Sequence, residues 1–344
     1  MIKTATLKNF GPLPNGEYRF APRLNVIVGE NGLGKSHLLK LLYAMVKVHA
    51  DSPDFTKTAL QKAYADKLIG VFRPDALGRL VKRKQGNDRC EVALTLGDGA
   101  QSCAFSFATG AKSAVQVDRL SADRDHATPI YMPTRELLTL CPWFGPLYDN
   151  YHLRFEESWR DTVSLLGAPS VKGKREAAVA QMLAPLEEAM GGKVVADPVT
   201  GEFYLSLPGS GRMEMPLVAE GLRKLAMLAR LIGTGVLLDK GYLFWDEPET
   251  NLNPKLIKVV AASILHLCQQ GIQVFIATHS YYLLKEIEIL SRQMSVAQRY
   301  LGLSQGDAGV VLEQSDSLKG LDTLVALDEE IAQYDRDLQV RAHD

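Results

Sequence analysis

Apolar residues along this chain follow two distinct rhythms. Residues 2–10 alternate and stop at Asn9-Phe10-Gly11-Pro12, the pattern of a strand closed by a turn. Residues 23–28 (Arg-Leu-Asn-Val-Ile-Val), 130–132, 242–246 and 273–277 are short, nearly continuous apolar runs. Runs of that kind predict strands covered on both faces. Residues 35–49 switch to helical spacing, with Leu38, Leu39, Leu42, Met45 and Val46 on one face. Helical patterns recur at 51–70, 146–190, 218–234 and 254–269, and again after Ser280. Residues 90–120 alternate around Gly97 and Gly110, which predicts an antiparallel flap. A strand pair is expected at 193–196 and 202–207, one strand at 309–313, and an acidic amphipathic helix at 322–338. Buried strands interleaved with helices define an α/β chain.

Chemistry enters where these rhythms change. Between the strand at 23–28 and the helix from 35 lie Gly29, Glu30, Asn31, Gly32, Leu33, Gly34, Lys35 and Ser36, followed by His37. This is a complete GxxxxGKS loop. Its glycines let main-chain N–H groups turn inward on phosphate oxygens, its lysine reaches the β and γ groups, and its serine hydroxyl suits Mg²⁺. The helix behind it adds the positive end of its dipole. Asp246 and Glu247 end the apolar run at 242–246, placing a carboxylate for metal beside one that can polarise water. Thr278-His279-Ser280 ends the run at 273–277. Carboxyl ends of strands line the ligand crevice of an open α/β sheet, so His279 is expected there too. Together these residues imply binding and hydrolysis of ATP with Mg²⁺.

Weaker signals surround them. Ala219-Glu220-Gly221-Leu222-Arg223-Lys224 opens a helix, so Glu220 and Gly221 are candidates for a second phosphate or ribose contact. Arg135 follows Pro133 and is either a nucleotide sensor or a surface arginine. Arg79, Lys82, Arg83, Lys84 and Arg89, and separately Lys172, Lys174 and Arg175, are either nucleic-acid contacts or solvated charge. Trp143 and Phe144 read as core more than as a contact patch.

Composition sets few further limits. The 344 residues are 46% hydrophobic and 23% charged with net charge −1, which advertises no general affinity for nucleic acid. Four cysteines lack metal-ligand spacing, no apolar run can cross a bilayer, and no signal peptide begins the chain. A cytoplasmic protein with no membrane partner is expected.

The order of motifs resembles the ABC-type ATPase heads of the SMC, RecF and OLD-like group. Leu7-Lys8-Asn9-Phe10-Gly11 looks like its first strand, and Leu24 to Gly32 like its approach to the phosphate loop. Asp246-Glu247-Pro248-Glu249 with Asn251-Leu252-Asn253-Pro254 is similar to its Walker B motif and D-loop, and His279 to its switch histidine. Glu220-Gly221 resembles a degenerate signature in which Ala219 stands where serine is usual. The resemblance implies an ABC-type P-loop NTPase head with a mixed central sheet, an antiparallel β flap and a helical lobe. It implies one unit of four parts: a nucleotide-binding lobe at 1–145, a helical and signature lobe at 146–235, a core at 236–305 and a tail at 306–344. About 85 residues between Arg135 and Gly221 are too few for a long coiled-coil arm, and the 65 after His279 too few for an appended nuclease, so a compact head is expected. By analogy it would pair with itself around ATP, as a homodimer or larger even assembly. In that role it would control an effector protein from a neighbouring gene, as in anti-phage defence. A RecF-like DNA-binding repair ATPase, or a nucleotide-gated scaffold with little turnover, are the alternatives.

Overall fold

The computed structural model describes residues 1–82, 87–97, 101–120, 126–151, 153–171, 176–238, 241–322 and 324–341. The chain begins with β1 (Ile2–Lys8), β2 (Gly16–Arg19) and β3 (Leu24–Gly29), then α1 (Lys35–Asp51) and α2 (Lys57–Phe72). Strands β4 (Arg89–Leu96), β5 (Gln101–Ala108), β6 (Gln116–Arg119) and β7 (Pro129–Met132) follow. A helical stretch contains α3 (Cys141–Tyr151), α4 (Glu157–Leu166) and α5 (Glu176–Met190). A small meander, β8 (Lys193–Ala196), β9 (Phe203–Leu207) and β10 (Gly211–Glu214), leads into α6 (Glu220–Gly233). The remainder is β11 (Tyr242–Asp246), α7 (Pro254–Gln269), β12 (Gln273–Thr278), α8 (Tyr281–Met294), β13 (Gln298–Gly306), β14 (Gly309–Ser315) and α9 (Val325–Arg341).

The central sheet runs β14-β13-β3-β12-β11-β7. All its neighbours are parallel except the β13–β14 hairpin, which makes the sheet mixed. Its strands carry apolar side chains on both faces because both faces are covered. Leu243 and Trp245 of β11, with Val274 and Ile276 of β12, face a core shared with α6, α7 and α8. The alternate residues Tyr242, Phe244, Phe275 and Ala277 face a second core shared with α1 and the antiparallel sheet. A strand's two-residue period thus divides one apolar run between two cores.

The antiparallel flap is larger than the alternation at 90–120 alone suggests. Its order is β2-β1-β4-β5-β6, so the N-terminal strand belongs to the flap and not to the central sheet. Gln273 links the two sheets: its buried amide accepts from Ile2 N (2.8 Å) and donates to Ile2 O (2.7 Å) and Ala21 O (2.8 Å). Beyond the strand expected at 309–313 lies a partner, β13, which pairs directly with β3. Phe144 is buried in the helical region as expected, whereas Trp143 stands exposed. Among the described residues the cysteines are free, and no helix is long and apolar enough to cross a membrane.

Candidate functional site

The site forms where β3, β11 and β12 end side by side. Their parallel register sets Val28 beside Thr278 and Asp246 beside Ala277. The glycine loop closes over this edge. Lys35 Nζ donates to the carbonyls of Gly29 (2.7 Å) and Glu30 (3.0 Å) of its own loop. Burial holds the Lys35 ammonium below its usual pKa, opposed by the nearby carboxylates of Glu247, Asp246, Glu249 and Glu30. Gly29 is pinned against β13, for a Cβ there would lie 2.3 Å from the Leu303 carbonyl oxygen. Gly32 and Gly34 take positive φ of 85° and 104°, open to glycine at little cost. Leu33 turns into the core under the flap, while Glu30 and Asn31 stay exposed. The His37 ring packs 5.5 Å from Phe72.

Two hundred residues later the acids arrive. Asp246 is buried, Tyr131 Oη lies 3.3 Å from its Oδ2, and the Ser36 side chain is near enough to act on its carboxylate. Burial raises the Asp246 pKa, and the nearby Ser36 works against that rise. Its Oδ1 is buried without a hydrogen-bond partner among the described residues. A buried, half-satisfied carboxylate next to a serine hydroxyl fits a hard divalent cation. Mg²⁺ takes just such a sparse protein donor set and completes its shell with phosphate and water.

Glu247 departs from the strand with φ of 46°, in the left-handed region that side chains avoid. Its main chain is held on both sides: Glu247 N donates to Ala277 O (2.9 Å), and Lys224 Nζ donates to Glu247 O (2.5 Å). The result aims its carboxylate at His279, whose Nδ1 lies 3.2 Å from Glu247 Oε1, with Thr250 Oγ1 3.2 Å from Oε2. The structure therefore brings Lys35, Ser36, Asp246, Glu247 and His279 together.

Other sequence candidates sit elsewhere. Gly221 packs against the loop after β11; a Cβ there would meet the Asn251 carbonyl oxygen at 2.5 Å. Glu220 begins α6 exposed to solvent. Arg135 is exposed beyond β7. Of the basic run, Arg89 is engaged within the flap by Ser106 and Gln116, while Arg83, Lys84, Lys172, Lys174 and Arg175 lie outside the described residues.

Three residues here were not singled out from the sequence. Glu249 is buried, accepting from Thr278 Oγ1 (2.6 Å) and His279 N (3.3 Å). Lys224, also buried, donates as well to Thr250 O (3.3 Å), and desolvation lowers its pKa to about 8. Tyr131 approaches Asp246 from the edge strand. A third acid three residues after Asp246 was a visible signal for Glu249. Nothing comparable marked Lys224 or Tyr131.

A mixed sheet with the glycine loop and paired acids at its carboxyl edge, an antiparallel flap and a helical stretch make up the fold of an ABC-type P-loop ATPase head. Residues 134–285 match the family described as "AAA domain, putative AbiEii toxin, Type IV TA system", a stretch that holds Glu247 and His279 but begins after the glycine loop. Among solved structures, the chain is similar to an SMC head bound to the C-winged helix domain of ScpA. That likeness has TM-score 0.57 and 14% identity, covering 92% of this chain and 98% of that one. It is also similar to the Smc head domain with an extended coiled coil, bound to the C-terminal domain of ScpA derived from Pyrococcus furiosus. There the TM-score is 0.52 and identity 12%, covering 97% of this chain and 99% of that one. At such identities the likeness is one of fold. The DNA replication and repair protein RecF of Azobacteroides pseudotrichonymphae genomovar. CFP2 is 34% identical over 67 residues. The match takes in 19% of this chain and 18% of the length of that curated relative.

Proposed function

We propose that this chain is a Mg²⁺-dependent ATPase that works as a switch, closing on a second copy around ATP and controlling a partner effector. The observation that carries this reading is the meeting of Lys35, Ser36, Asp246, Glu247 and His279 at one sheet edge. Lys35 and the loop N–H groups would hold the triphosphate. Ser36 and Asp246 would hold Mg²⁺, which when bound supplies charge neutralisation at the transferring phosphoryl group. Glu247 is oriented as general base for the attacking water, and His279 keeps that carboxylate directed into the crevice.

The defence setting and an effector from a neighbouring gene belong to this proposal by analogy; the matched family contributes its description as a putative toxin of a Type IV TA system. The RecF match favours a second reading, a DNA-repair ATPase. Turnover measured with Glu247→Gln separates binding from hydrolysis. The variant is expected to keep ATP affinity and lose turnover by about a hundredfold or more. Unchanged turnover would remove Glu247 as the base. ATP-stimulated DNA binding that weakens steeply with salt would favour the repair reading.

A further inference from the structure

Helix α9 leaves the body of the protein. Leu324, at its start, is buried in the main core and Leu327 packs against it. From Asp328 to Arg341 every residue is exposed, a free helical rod of about 21 Å. That rod nevertheless carries an apolar seam. Leu324, Leu327, Ile331, Tyr334 and Leu338 recur at alternating three- and four-residue steps, the spacing of one coiled-coil face. Ile331 is 52% exposed, Tyr334 62% and Leu338 46%. The seam therefore begins in the core and runs outward without a cover.

Its flanks determine what can cover it. On one side of the seam stand Asp328 and Asp335, on the other Glu330 and Asp337; Arg336 lies on the opposite face. Among the described residues only Asp337 of these four has a cationic neighbour, Arg341, at 2.7 Å. A second copy would set acid against acid in either orientation. A parallel pair opposes Glu330 with Asp335, and an antiparallel pair opposes each flank with itself. Like charges across such a seam disfavour pairing, whereas lysine or arginine at the facing positions would favour it.

We propose that α9 is the docking helix for a partner protein, which covers it with an amphipathic helix whose leucine or isoleucine seam is flanked by basic residues. The surface stands on its own; its regulatory consequence rests on the ATPase-switch reading. The base of α9 adjoins the nucleotide site. Leu324, Val325 and Glu329 line one side of a cavity of about 350 Å³ whose other side includes Gly29, Glu30 and His279. A partner gripping the rod would thereby touch the phosphate loop through this turn.

The test uses the full chain and three labelled synthetic peptides of about three heptads. One has a leucine seam with lysine and arginine flanks, one the same seam with glutamate flanks, and one is the basic peptide scrambled. Fluorescence anisotropy is expected to show the basic amphipathic peptide binding about tenfold or more tighter than either control. Ile331→Asp and Leu338→Asp should abolish that binding while thermal unfolding is unchanged, since both side chains are exposed. Replacing Asp328, Glu330, Asp335 and Asp337 together by lysine should reverse the preference toward the acidic peptide. Equal binding of the scrambled peptide, or binding indifferent to Ile331→Asp, would overturn the proposal. So would a nucleotide-free dimer in sedimentation that Ile331→Asp dissolves, because the occupant would then be a second copy. Lys35→Ala should remove nucleotide binding and leave peptide binding intact, so a failure of the ATPase reading is distinguishable from a failure of this one.

Discussion

The ammonium of Lys224, on α6, is bonded to the main-chain carbonyl of Glu247 on the loop of the paired acids. The bond ties α6 to the strained turn that aims the carboxylate. A left-handed residue costs about 1–2 kcal/mol and persists only where its surroundings insist on it. Lys224→Met removes the side-chain donor to the carbonyls of Glu247 and Thr250, and the Glu247 carbonyl keeps the Thr250 N–H at 3.2 Å. Turnover is expected to fall about tenfold to a hundredfold with ATP affinity changed by less than about threefold, since the lysine acts through Glu247. Equal loss in both parameters would assign Lys224 to nucleotide binding instead.

The same lysine gives the activity an alkaline limit. Its folded pKa of about 8 lies below the free value of 10.5, so the ammonium is intact below pH 8 and is lost as pH rises through it. Turnover should decline with an apparent pKa near 8, and that limb should vanish in Lys224→Met. Stability moves the other way. Between about 8 and 10.5 the unfolded chain binds more protons at this site, so the burial penalty on Lys224 is relieved as pH rises. Urea unfolding across that window, compared between wild type and variant, measures the difference.

Asp246 poses the opposite problem, a buried acid with one oxygen unpartnered among the described residues. Its folded pKa is raised by desolvation, so its penalty grows as pH climbs above the ordinary carboxylate range and fades as pH falls back. Asp246→Asn should therefore stabilise the nucleotide-free protein by about 1–3 kcal/mol at neutral pH. Mg²⁺ with ATP should raise the melting temperature of the wild type and leave the variant nearly unmoved. Stabilisation of both to the same degree would place the metal elsewhere.

What the sequence disclosed follows from how local each cause is. The glycine loop, the acid pair and His279 are each written within a few residues, next to apolar runs whose burial fixes them at strand ends. Strand β13 was missed because Gln298-Arg299-Tyr300-Leu301-Gly302-Leu303-Ser304-Gln305-Gly306 mixes polar ends and two glycines, and its pairing with β3 spans some 270 positions. Gly302 lies within that strand at its pairing with Val28, beside the phosphate loop. Lys224 follows Arg223 directly at the start of a helix; only the approach of the 247–250 loop shows that the lysine turns inward while Arg223 pairs with Glu136 at 3.3 Å. Gly221 looked like a phosphate contact for its place at a helix start, but within one chain it makes room for a loop.

That loop contact carries its own prediction. The carbonyl of Asn251 stands where the Cβ of Gly221→Ala would go, and a main-chain atom cannot swing aside as a flexible side chain can. The substitution should destabilise by about 1–3 kcal/mol, read as a lower urea midpoint at unchanged slope. It should also displace Asn251 and its neighbours, lowering turnover. Full stability in Gly221→Ala would mean that α6 shifts readily against the loop.

Glu249 tests whether His279 is positioned from beneath. One of its oxygens takes the Thr278 hydroxyl at 2.6 Å and the His279 N–H at 3.3 Å, so the turn after β12 is fixed to the turn after β11. Its other oxygen is buried and unpaired among the described residues. Glu249→Ala removes the acceptor and frees the main chain of His279, which then holds Glu247 less firmly. Turnover should drop about tenfold or more while ATP affinity stays within about threefold. Glu249→Gln keeps an acceptor oxygen for both donors and should recover most of the turnover. A purely electrostatic role predicts another pattern: both variants, each lacking the charge, would be equally impaired.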